Sequence, residues 1–152
     1  MLAIRIFLIK AGASGSMSLF SFSGTPPQDL GVTNGQLKSC PDTPNCVSSQ
    51  APSGDKEHAI APFTYTGSAK DAIQKLKQII EGMERSIINE VTDDYLYAEF
   101  SSKLMGFVDD VEFYAPPGES VIHTRTAARL GKSDLGVNRK RTEEIRAQFE
   151  TN

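Results

Sequence analysis

Asp110, Glu112, His123, Arg125 and Arg129 are the residues whose types and spacing suggest chemistry. They fall at every second position on two neighbouring segments, so in strands they would share a face. A histidine facing a carboxylate is the arrangement of a general base with its orienting partner. Two arginines on the same face would hold an anionic group. The plainer alternative is an antiparallel sheet with one face in water, decorated by cross-strand ion pairs.

Cys40 and Cys46 are the only cysteines, with five residues including Pro41 and Pro44 between them. The spacing leaves three chemistries open. A disulfide would close a seven-residue ring and stabilise the chain by about 2–2.5 kcal/mol in the chain-entropy model. Because the prolines already restrict the unfolded chain, the real gain is smaller. A redox role is less suited, because the pair is not a Cys-X-X-Cys at a helix start. Zinc needs four ligands, and only His58 and His123 remain as nitrogen donors. No metal and no cofactor is expected.

A further group of candidates surrounds the last turn of the chain. Residues 120–152 carry 4 acids and 7 bases, whereas residues 29–119 carry 15 acids and 7 bases. Asp109, Arg129, Ser133, Asn138, Arg139 and Arg141 could together form an anion site, or simply a solvated helix pairing with an acidic sheet. Asp109 shares the parity of Phe107, Val111 and Phe113, so it points at a core and needs a partner. Thr126 and the loop from Ser133 to Asn138 are the expected partners. No Gly-X-Ser-X-Gly elbow surrounds Ser48 or Ser49, so these serines are read as turn or cap residues.

The elements that would position these groups begin near Pro62. Phe63 to Thr66 reads as a short strand. Ser68 with Asp71 three residues on resembles a capping box, and Ile73, Leu76, Ile80 and Met83 place an apolar stripe on the following helix. Ile87 to Thr92 and the segment after Asp93-Asp94 form a hairpin. A two-residue loop sets Val91 opposite Leu96, Asn89 opposite Ala98 and Ile87 opposite Phe100. A four-residue loop, Pro116-Pro117-Gly118-Glu119, sets Phe113 opposite Ile122, Glu112 opposite His123 and Asp110 opposite Arg125. Asn138 is the expected N-cap of a last helix over 139–149, with Val137, Arg141, Ile145 and Phe149 as its stripe.

This order predicts an α+β domain. A four- to five-stranded antiparallel meander carries two helices on one face, preceded by a long arm rich in Pro, Gly and Ser. The domain is expected to span 19–152, with the irregular arm over 19–61. Turn signals such as Asn34-Gly35 and Pro26-Pro27 crowd the arm. Residues 1–18 read as an upstream extension, with Met17 as a start, or as a degenerate targeting segment. The chain has 152 residues and a net charge of −3, which argues against nucleic acid as a partner, and no stretch is long enough to span a bilayer.

Three segments taken together are more specific. Leu37-Lys38-Ser39-Cys40-Pro41-Asp42-Thr43-Pro44-Asn45-Cys46-Val47-Ser48-Ser49-Gln50, Asp109-Asp110-Val111-Glu112-Phe113, and the run from Arg125 to Arg141 resemble the domain-of-unknown-function 1499 family from about Leu19 to Phe149, nearly the whole chain. Phe20-Ser21-Phe22-Ser23-Gly24 resembles cyanobacterial or plastid members. The resemblance supplies no reaction and no catalytic residues. It leaves the compartment open between cytoplasm, periplasm, thylakoid lumen and plastid.

Two functions therefore stand at the level of sequence. One is a non-catalytic accessory or binding domain that uses the proline-rich arm or the polar sheet face to hold an unknown protein or small molecule, which predicts a flat, solvated face. The other is a small hydrolase-like acid/base enzyme, which requires Asp110, Glu112, His123 and Arg125 to converge in a concave pocket. A thiol redox role for the cysteine pair is a third possibility.

Overall fold

A computed structural model describes residues 22–151, so the expected extension over 1–18 and the motif at 20–21 lie outside the described residues. Two helices pack on one face of a six-stranded antiparallel sheet. The strands are β1 (Cys46–Ser48), β2 (Phe63–Thr64), β3 (Ser86–Val91), β4 (Tyr95–Ser101), β5 (Val108–Tyr114) and β6 (Val121–Ala128). The helices are α1 (Ala69–Glu81) and α2 (Val137–Thr151). The sheet order is β1-β6-β5-β4-β3, and β2 also pairs with β6. The central meander is the expected one. The sheet gains strands because the arm is not irregular throughout: Cys46–Ser48 pairs with Arg125–Ala127.

The Ser68 hydroxyl accepts from the Asp71 amide at 3.1 Å, capping α1 as its sequence predicts. Ile73, Leu76 and Ile80 are fully buried against Leu96, Ala98, Val111 and Phe113. Each such side chain contributes roughly 1.5–3 kcal/mol by leaving water. Ile145 and Phe149 of α2 join the same core.

Three local features differ from the sequence pattern. In β3 the pairing starts as expected, with Val91 opposite Leu96, but a bulge at Asn89 then changes the alignment. Ile88 faces Ala98, and Ile87 is left 58% exposed. The extra residue takes polar Asn89 out of the apolar row. In α2 the cap is Asp134, whose carboxylate accepts from the amides of Gly136 and Asn138 at 2.9 Å. Asn138 is instead fully buried in the first turn, and the buried stripe is Asn138, Thr142, Ile145 and Phe149. Val137 is exposed.

The third difference is the β5–β6 register. Glu112 lies opposite Arg125, Asp110 opposite Ala127, and His123 opposite Tyr114. The strands end at Tyr114 and Val121, so the connection is longer than four residues. Because the displacement is two residues, every side chain stays on its expected face while its partner changes.

The second face of the sheet carries Tyr95, Tyr97, Glu99, Asp110, Glu112, Tyr114, His123 and Arg125 by alternation. It is not open to water, because the arm lies over it. Leu37 packs against Tyr95 and Tyr114. Its position is set by the turn at Asn34-Gly35, where both residues have positive φ (50° and 73°) and Thr33 and Gln36 exchange backbone bonds. Gln50 ties that turn to β1 by bonding the Leu37 amide and the Gly35 carbonyl.

Candidate functional site

The covered face holds two ionic groups on adjacent strand positions. In the first, Arg129 donates from Nε to Asp110 Oδ2 at 2.9 Å and from Nη2 to Oδ1 at 2.7 Å, and it also bonds Glu99 and the Tyr97 hydroxyl. Tyr97 donates in turn to Asp110 at 2.7 Å. These bonds raise the Arg129 pKa further, with Asp110 as the main cause. Burial pushes the Tyr97 phenol far up, so it remains a neutral donor.

In the second group, Glu112 is fully buried. One of its oxygens accepts from the Tyr95 hydroxyl at 2.8 Å and from the Gly31 amide at 2.7 Å. The arm is thus fastened to the sheet through Gly31. The other oxygen has no hydrogen bond. Arg125 Nη1 stands 3.8 Å from it, an ion pair without a hydrogen bond. Burial raises the Glu112 pKa, opposed by the Gly31 and Tyr95 bonds. Burial also lowers the Arg125 pKa, opposed by Glu112.

Arg125 is unusual in another respect. It is only 5% exposed, its Nε has no partner, and no side-chain or backbone oxygen among the described residues accepts a hydrogen bond from its guanidinium. It lines a cavity of about 370 Å³ between arm and sheet. Thr25, Pro27, Leu30, Lys38, Ser39, Cys40 and Pro41 form the arm side, and Asp110, Ala127, Ala128 and Arg129 complete the sheet side. Cys40 is joined to Cys46 by a disulfide, so the lip of the cavity is covalently tied to β1. Lys38, at the same lip, pairs with Asp29 at 2.6 Å.

His123 belongs to neither group. The Ser49 hydroxyl lies 3.1 Å from its Nδ1 and accepts from the Thr124 amide at 2.8 Å. Burial lowers the His123 pKa, which favours the neutral ring that can accept from Ser49. The expected facing of Glu112 and His123 is therefore replaced by Glu112 with Arg125. Asp110, Arg125 and Arg129 share the cavity wall.

The remaining candidates lie on the helix side. Asp109 pairs with Arg141 of α2 at 2.8 Å rather than with Thr126, which donates to Asn138 instead. Burial raises the Asp109 pKa, and Arg141 opposes the rise. Arg141 also covers the Phe100 ring. Arg139 donates to the carbonyls of Ala59 and Glu57. Ser133 accepts from the Leu135 amide in the exposed loop. Asp109, Asn138 and Arg141 thus come together as a tie between sheet and helix, while Arg139 and Ser133 serve other segments. Among the described residues no group of three or more His, Cys, Asp or Glu is placed to hold a metal. No helix among them is long and apolar enough to cross a membrane.

Tyr95, Tyr97, Glu99 and Lys38 are the site residues not picked out from sequence. A signal was present for three of them: Leu96, Ala98 and Phe100 form the apolar face of β4, so Tyr95, Tyr97 and Glu99 must share the other.

A family model described as a protein of unknown function, DUF1499, matches residues 36–149. The chain belongs to the DUF1499 family. No curated protein matches it. The DUF1499 match takes in the disulfide loop, both ionic groups and α2 as far as Phe149, while Thr25, Pro27 and Leu30 on the arm side of the cavity precede it.

Proposed function

We propose that this DUF1499 protein is a non-catalytic binding module that holds a small ligand in the cavity between arm and sheet. The observation that carries this reading is Arg125. Among the described residues its buried guanidinium has no hydrogen-bond acceptor; such a group is costly, and a ligand bringing an acceptor into the cavity offsets that cost. The cavity has an apolar side of Pro27, Leu30, Pro41, Ala127 and Ala128 facing convergent polar groups, and its size falls in the range of small-molecule sites. The arm supports the same reading, because it is fixed at Gly31 and Cys40 and gives the site a preformed wall. The acid/base alternative has less support, since the expected histidine–carboxylate pairing is taken up by other partners.

Screening a library of organic acids, amines and neutral molecules by thermal shift, followed by calorimetry, tests the proposal. Hits should bind one per chain, weaken at least 10-fold in Arg125→Met, and bind unchanged in His123→Ala. Hits indifferent to Arg125→Met, or turnover abolished by His123→Ala, would refute it.

A further inference from the structure

We infer that the ligand is a small monocarboxylate with an apolar body, its carboxylate seated on Arg125. This rests on the reading of the cavity as a ligand site and narrows it to one chemical class. Three observations carry it.

The first is how the positive charges on this face are committed. Arg129 is bound by Asp110 and Glu99, and Lys38 at the lip is paired with Asp29. Arg125 is the basic group of the cavity without a hydrogen-bonded acid among the described residues, and its ion-pair partner Glu112 stands off at 3.8 Å. A single guanidinium in this position matches one negative charge. A phosphate dianion would bring a second charge toward Asp110 and Glu112 with no further cation to meet it.

The second is shape. The guanidinium fork matches a planar carboxylate, which accepts two parallel N–H bonds. Arg125 Nη1 leans toward Glu112, while Nε, on the other edge of the fork, is buried without a partner among the described residues. The third is the remaining wall. Pro27, Leu30, Pro41, Ala127 and Ala128 form an uncharged apolar side, with the Thr25 and Ser39 hydroxyls as the neutral polar groups beside it, so the rest of the ligand is uncharged and mostly apolar. A volume of about 370 Å³ is at the small end of ligand sites, which suits a short-chain acid.

Calorimetry with hexanoate, its neutral isostere hexanamide and hexyl phosphate tests the assignment on the disulfide-intact chain. Three variants accompany the wild type. Arg125→Met removes the charge, Arg125→Lys keeps charge but not the fork, and Leu30→Trp fills the cavity from the arm without touching an ion. Far-UV circular dichroism checks that each is folded. Hexanoate should bind one per chain, with hexanamide at least 10-fold weaker. Arg125→Met and Leu30→Trp should each cost at least 10-fold, and Arg125→Lys should fall between Arg125→Met and wild type. Should Arg125→Met not fold, Leu30→Trp and Arg125→Lys decide alone. Hexyl phosphate binding more tightly than hexanoate, and lost in Leu30→Trp, would overturn the carboxylate class and leave the cavity reading standing. Hexanoate binding unaffected by Leu30→Trp and Arg125→Lys would overturn both. No saturable binding of any of the three probes would overturn the carboxylate class, and the wider library then decides the cavity reading.

Discussion

Replacing Arg129 by methionine should be among the most damaging single changes on the covered face, and the structure gives the size of the effect. Methionine retains much of the aliphatic stem and removes only the guanidinium. Arg129 is 4% exposed at its side chain and Asp110 is 2% exposed, so their pairing is a buried one. Breaking a buried pair by deleting one partner costs about 3–5 kcal/mol, because the other charge is stranded. Asp110 would keep only the Tyr97 hydroxyl, at 2.7 Å. Glu99 is 21% exposed and can turn to water, so it adds little to the loss. A loss of this size is a large part of the 5–15 kcal/mol typical of whole domains. Urea unfolding followed by far-UV circular dichroism measures it, since the chain has no tryptophan to report by fluorescence. Arg129→Met combined with Asp110→Asn should recover at least half of it at pH 7. A deficit below about 1 kcal/mol, or one that the double variant does not reduce, would show that this cluster behaves as a solvated surface pair.

Two further outcomes test the arm. His58 donates to Asp55 and to the Thr43 carbonyl, which requires both ring nitrogens protonated, and the Asp55 bond raises its pKa. The resulting stabilisation is full below the unfolded histidine value near 6.5 and is lost as pH rises through the higher folded value. Wild type should therefore lose stability relative to His58→Gln between pH 6 and 9, and parallel stability curves for the two would refute the clasp. Reducing the Cys40–Cys46 disulfide should lower the unfolding free energy by at most about 2.3 kcal/mol, less whatever Pro41 and Pro44 already contribute. Unfolding with and without a phosphine reductant measures this, and complete unfolding on reduction would contradict it.

Much of the fold was legible in the sequence because local signals agreed with tertiary packing. α1 announces itself through Ser68 and an apolar stripe, and the meander through its alternation. Cys40-Pro41 through Asn45-Cys46 gave the disulfide as one of three open chemistries. The register of β5 and β6 was not legible, because Tyr114 and Ala115 fit a strand end or a loop equally well and the true connection is longer. Alternation fixes parity only, so the covered face was right while its pairs were not. The bulge in β3 was hidden because Ile87 and Ile88 are adjacent and either could face inward. β1 was missed because three residues cannot display a period. The cavity was invisible for a deeper reason. Its arm wall is set by Gly31 meeting Glu112 and by Leu37 meeting Tyr95 and Tyr114, contacts between residues far apart in a segment with no repeat to read.

The bulged outer strand and the two stubs at the opposite margin have a consequence for how these molecules treat one another. A copy offering a flat extended segment to β3 meets a kink at Asn89, and at the far border it finds β6 already capped by pieces of three and two residues. Neither rim presents a long straight row of unpaired amides and carbonyls, the template on which sheets polymerise. The fold thus blunts fibre growth at both ends through the same irregularities that made those strands hard to foresee.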